Sequence, residues 1–173
     1  MHCKNLSPFI IFDSNSISKE YLDELYPIYQ REIANGNLMF KGKPVNVFTE
    51  LNYELKHQTF EHITTKGNTD RTYNLERCKR ILWIRDILSN VCKDCQNYEI
   101  IKDVKGKKER YVIWCVQEDY VIVLEKRKDE YFLITAYCVI YDAKRNELKR
   151  KAEKQNRQQQ VADGFSVPST HGR

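Results

Sequence analysis

The segment KHQTFEHITTKG, residues 56–67, holds His57 and His62 and a pair of hydroxyl side chains, Thr64 and Thr65, ahead of a glycine. An imidazole titrates near neutrality, so it accepts and donates a proton around pH 7. A second feature lies in residues 71–91, RTYNLERCKRILWIRDILSNV. Counted at 100° per residue from Leu75, the apolar positions Cys78, Ile81, Ile84, Leu88 and Cys92 fall between about 180° and 300° of a helical wheel. Arg77 and Arg85 fall in the same arc, flanking Ile81 at i, i+4 and i+8. A charge on an apolar face requires a partner. One reading is an ion pair with an acid of the N-terminal helix. The other is a pair of guanidinium forks facing a phosphate, a task their planar donors suit better than lysine does.

The third feature is the strand YFLITAYCV, residues 131–139. Alternation places Tyr131, Leu133, Thr135, Tyr137 and Val139 on one face. Phe132, Ile134, Ala136 and Cys138 take the other, wholly apolar face, which is expected against the helices. Thr135, flanked by two phenols, is a hydrogen-bond donor candidate toward a ligand. Where these segments meet, His62, Arg77 or Arg85, and Thr135 make a trio suited to RNA cleavage by the internal 2′-hydroxyl. The histidine moves the 2′ proton and the arginine stabilises charge on the phosphorus oxygens. No DxD or HExxH pattern supplies an acidic metal site.

The elements that must position these residues read as follows. Residues 16–34 form a helix capped by Ser16 or Ser18, kinked or divided at Pro27 and stopped by Asn35-Gly36-Asn37. FKGKPVNVF turns at Gly42 as a short hairpin or extended loop. The His62 segment reads as extended, ending at Gly67-Asn68, and residues 71–91 as one long helix with Trp83, Lys79 and Asp86 toward solvent. Four strand segments follow, 98–104, 110–117, 120–128 and 130–141, joined by short polar connections. Helices followed by a meander predict an α+β domain over residues 1–142, with N-terminal helices packed on a mainly antiparallel four-stranded sheet.

Composition sets the frame. A chain of 173 residues with 41% hydrophobic and 31% charged residues suits one globular domain. No apolar run reaches signal-peptide or membrane-spanning length, so a cytoplasmic protein with no membrane partner is expected. Its cysteines are then expected reduced. Cys92-Lys93-Asp94-Cys95 has half of a zinc-site spacing with no second half, leaving a zinc-stabilised regulator as a separate reading. The net charge of +5 is concentrated in residues 143–160, which carry seven Lys or Arg and two Glu; the remainder is balanced at 22 and 22. Residues 143–173 are therefore a basic helix with a tail that reads as disordered, and the basic part attracts polyanions or is simply solvated.

The order FEHITTKG, NLERCKRILWIRDIL and YVIVLEKRKDEYFLITAY resembles the phage-associated branch of the barnase–EndoU–colicin–RelE-like RNase superfamily. The likeness spans residues 56–141, about half of the chain. It implies that superfamily's fold and a metal-independent endoribonuclease, toxin-like, of a phage or mobile-element conflict system, acting in the host cytoplasm and leaving a 2′,3′-cyclic phosphate. It maps the family histidine to His62, the arginine-bearing helix to Arg77 and Arg85, and the strand hydroxyl to Thr135. Tyr137, His57 and Lys126 are general-acid candidates, and Thr64, Trp83 and Lys126 are substrate-binding candidates. RNA is the expected partner, together with an inhibitor or immunity protein; no cofactor or metal is implied. The rival function is a non-catalytic nucleic-acid- or protein-binding module of the same fold.

Overall fold

A computed structural model describes residues 6–12, 16–67, 69–89 and 98–164. The first helix, α1 (Lys19–Tyr29), starts where Ser18 Oγ accepts the Tyr21 amide, and it continues as a π-helical turn over Gln30–Ala34. Pro27 has no N–H to donate to the preceding turn, and the regular α-helix ends two residues beyond it. The expected hairpin is β1 (Met39–Phe40) and β2 (Lys43–Asn46). Its turn residues, Lys41 and Gly42, both have positive φ, 49° and 74°, the combination that matches the twist of a two-residue hairpin.

The His62 segment is helical, a correction to the extended reading. Helix α2 spans Gln58–Thr64 and buries Thr59, Phe60, Ile63 and Thr64, a spacing that repeats with the helical period rather than the strand period. Two short strands, β3 (Thr65–Lys66) and β4 (Thr72–Tyr73), then form a hairpin of their own. Residues 71–91 are not one helix either. Asn74 caps α3 (Leu75–Lys79) by accepting the Arg77 amide, and α4 (Ile81–Leu88) begins after a break at Arg80. The Lys79 carbonyl, which a continuous helix would give to the Trp83 amide, instead accepts from the Ile10 amide at 3.0 Å. The N-terminal segment therefore enters the helix at its hinge.

The four strands of the meander are β5 (Tyr98–Lys105), β6 (Lys108–Cys115), β7 (Tyr120–Arg127) and β8 (Glu130–Cys138). Among the described residues the sheet has six strands, not four: the order is β1-β2-β8-β7-β6-β5, antiparallel except where β2 runs parallel to β8. The β1–β2 hairpin supplies the two extra strands by pairing Val45 and Asn46 with Tyr131 and Phe132. A bulge between Val123 and Leu124 leaves Ile134 of β8 as the extra residue. Alternation along β8 therefore shifts. Tyr131, Leu133, Ala136 and Cys138 pack in the core on the helix side, while Ile134, Tyr137 and Val139 face the opposite side. The expected grouping of Tyr131, Thr135 and Tyr137 on one face is corrected accordingly.

Helices α1, α2, α3 and α4 cover one side of the sheet around Leu25, Tyr29, Phe60, Ile63, Ile84 and Leu133. On the other side lies α5 (Asp142–Gly164), whose Leu148 and Ala152 pack with Ile101, Trp114, Val121 and Val139 in a second core. The Gln155 side chain donates to the Ile100 carbonyl at 2.8 Å and accepts the Lys102 amide at 2.7 Å, so it pairs with the edge strand as another strand would. The boundary drawn at residue 142 thus cuts through packed structure: α5 is part of the domain. Part of its charge is paired within the fold, since Arg145 pairs with Asp119 and Lys151 with Asp103 and Glu147. Residues 165–173 lie outside the described residues. No helix among the described residues is long and apolar enough to cross a membrane.

Candidate functional site

Beyond the short β2 strand, the C-terminal part of β8 has no strand neighbour on its outer edge among the described residues, and α2 is packed against β8. That junction gathers four of the residues expected from the sequence. Thr135 Oγ1 donates to the His62 carbonyl at 2.9 Å. The Ile134 backbone acts on the His62 ring, weakly favouring its protonated form. Arg77, brought in by α3, donates through Nη1 to the Thr65 carbonyl and, at 3.4 Å, to the His62 carbonyl. Its guanidinium carbon lies 5.6 Å from the centre of the Tyr137 ring. Thr135 and Arg77 thus satisfy carbonyls left open at the end of α2, and a cation there also complements the helix dipole. The Thr135 hydroxyl proton is committed to that bond. Thr135 therefore positions His62, and the expected donation from it to a phosphate is corrected.

The site contains a residue that the sequence reading missed. Arg71 donates to Thr65 Oγ1 at 3.0 Å, and its charge bears on the His62 ring. The β3–β4 hairpin, turning after Gly67, carries Arg71 back toward α2. Among the described residues no carboxylate pairs with Arg71 or Arg77, and the Nε and Nη2 groups of Arg77 have no protein acceptor. Two partly buried guanidiniums with unused donors thus meet at the end of α2: the Arg71 charge acts on the His62 ring, and Arg77 holds the His62 backbone carbonyl.

Protonation follows the same geometry. Burial, and then Arg71, holds the His62 imidazole below its ordinary value of 6.5, against smaller opposing effects of Glu61 and the Ile134 carbonyl. His62 is consequently neutral at pH 7, the form a general base needs. Burial pushes the Tyr137 phenol above its ordinary value, so it keeps its proton. Burial also depresses His57. Between the depressed values and 6.5 the unfolded chain binds more protons than the folded one. The stability contributed by these two groups is therefore complete above about pH 6.5 and is lost as pH falls through the folded values. Urea midpoints measured down to about pH 5 should fall on the acid side, and His62→Gln should make that fall shallower.

The other expected site residues stand elsewhere. Arg85 points away from Arg77, because the break at Arg80 ends their shared face. It donates to Glu32 Oε2 at 2.6 Å, to Asp86 Oδ1 at 2.7 Å and to Ser7 Oγ at 2.9 Å. The ion-pair reading with an acid of the first helical segment therefore holds for Arg85. Asp86, expected in solvent, is buried and accepts the Ser7 amide at 2.7 Å. Trp83, also expected exposed, is 3% exposed and donates through Nε1 to the Ser7 carbonyl at 2.9 Å. Thr64 is buried and returns its hydroxyl to the Phe60 carbonyl at 2.7 Å. Lys126 stands opposite Tyr131 toward the far end of β8, 3.7 Å from Glu109. His57 sits at the start of α2, edge-on to Tyr26 and Tyr29, with Nδ1 3.3 Å from the Tyr29 hydroxyl.

Among the described residues no three His, Cys, Asp or Glu side chains cluster as metal ligands would, and Cys92 and Cys95 lie outside those residues. Comparison with known proteins returned no match to a family model, a curated protein or a solved structure.

Proposed function

We propose that the protein is a metal-independent endoribonuclease that cleaves RNA by attack of the internal 2′-hydroxyl, leaving a 2′,3′-cyclic phosphate. The observation that carries this reading is the meeting, at the end of α2, of a half-buried His62 with two arginines that have no carboxylate partner among the described residues: Arg71, whose charge acts on the ring, and Arg77, which holds the His62 carbonyl. In it, His62 removes the 2′ proton, and the free donors of Arg77, helped by Arg71, bind the phosphorus oxygens as charge builds on them. Tyr137, which holds its proton, is the donor candidate for the departing 5′ oxygen. The resemblance to the barnase–EndoU–colicin–RelE-like superfamily supplies the same chemistry and a toxin-like role in a phage or mobile-element conflict system. An inhibitor or immunity protein is the partner that such a role requires.

A binding module without catalysis is the second reading, favoured by the engagement of Arg77 and Thr135 with α2 carbonyls. Cleavage of labelled RNA in excess EDTA, wild type beside His62→Ala, separates the two.

A further inference from the structure

The half of the outer sheet face that α5 leaves uncovered carries a second cluster. Arg110 of β6, Glu125 of β7 and Phe132 of β8 stand in register across three neighbouring strands. Glu125 is 4% exposed. It pairs with Arg110 at 3.1 Å, Arg127 at 3.0 Å and Lys108 at 4.0 Å. Burial pushes its carboxyl up, and the donors of Arg127 and Arg110 with the Lys108 charge more than reverse that. The cations exceed what Glu125 neutralises, even with Glu130, bonded to Asn46 at the rim. They are also within reach of solvent: the Arg127 side chain is 48% exposed and that of Lys108 62%.

Aromatic surface adjoins the charge. The Phe48 and Phe132 rings stack with centres 5.1 Å apart. The Arg127 guanidinium carbon lies 4.9 Å from the first ring and 5.0 Å from the second. Guanidinium forks grip phosphates, and aromatic and guanidinium planes stack unpaired bases. A duplex hides those base faces, so the combination selects single strands. Phe132 shares this face with Ile134; past the bulge the face passes under α5, where Tyr137 packs in the second core with the Arg77 guanidinium carbon 5.6 Å from its ring. Thr135 is three residues along the strand from Phe132, about 10 Å.

We propose that this face is a single-stranded RNA platform, with phosphates on Lys108, Arg110 and Arg127 and bases on Phe48, Phe132 and the Arg127 plane, feeding the strand to His62. The feeding role rests on the nuclease reading; the binding does not. The test is fluorescence anisotropy with a short labelled 2′-O-methyl RNA, which lacks the free hydroxyl that cleavage needs, and with the duplex of the same sequence. Phe132→Leu keeps an apolar side chain but loses the ring, and should weaken single-strand binding about tenfold. Phe132→Tyr should restore it, with circular dichroism confirming the fold of both. Wild-type affinity in the leucine variant, equal loss of duplex binding, or no rescue by tyrosine overturns the platform. Wild-type protein that binds through Phe132 but cuts no RNA keeps the platform and removes the nuclease reading. Cleavage that depends on His62 but binding indifferent to Phe132 removes the platform alone.

Discussion

Replacing Arg77 by alanine is expected to lower RNA cleavage about 10²- to 10³-fold, the usual loss when one preorganised donor to a developing oxyanion is removed. Arg77 has two tasks that this substitution takes away together. One is structural: Nη1 satisfies the Thr65 and His62 carbonyls at the end of α2, and losing it should cost about 1–2 kcal/mol of stability. The other is chemical and belongs to the donors that the fold leaves free. Arg77→Lys separates them, because an ammonium keeps the charge but not the planar fork. Rates taken at a temperature where each variant is folded should show the lysine variant well below wild type, while its thermal midpoint moves only slightly. A midpoint that falls while the rate per folded molecule stays at the wild-type value would make Arg77 a cap of α2 and nothing more.

The second large effect is on stability. Trp83→Ala is expected to cost about 3–5 kcal/mol, as large-to-small changes of buried aromatic residues do. That is a substantial part of the 5–15 kcal/mol that typically holds a protein together. The ring is enclosed between Phe9 at 5.4 Å and Tyr120 at 5.5 Å, and its Nε1 ties α4 to the Ser7 carbonyl. Trp83→Phe keeps most of the burial and gives up the hydrogen bond, for about 1 kcal/mol. Equilibrium denaturation of the two variants checks the ranking. Wild-type stability in the alanine variant, accompanied by weakened RNA binding, would restore the base-stacking role that the sequence suggested.

Trp83 shows why part of the site was illegible. The wheel drawn through Leu75 put it toward solvent because the helix was taken as unbroken. The Ile10 amide, far away in the chain, takes the Lys79 carbonyl and resets the helix at Arg80. No periodicity within residues 71–91 encodes that contact. The same break separates Arg77 from Arg85. The meander was readable, because β5 to β8 are four apolar runs with polar turns between them. The extra strand pair was half readable: the turn at Lys41-Gly42 was visible, but the parallel docking of β2 on β8 is a long-range choice. For α2, the segment around His62 read as extended, while burial of Thr59, Phe60, Ile63 and Thr64 follows the helical period. A meeting of His62, Arg77 or Arg85, and Thr135 was anticipated from their chemistry; of the arginines Arg77 reaches the His62 segment, and the bulge at Ile134 changed what Thr135 does.

The account stands most directly on RNA cleavage in excess EDTA by wild-type protein and its His62→Ala variant, with the product ends identified. It predicts 2′,3′-cyclic phosphate ends from the wild type and a rate about 10²- to 10⁴-fold lower in the folded variant, the usual worth of a positioned general base. Equal cleavage by the two proteins, or none by a folded wild type, would contradict it.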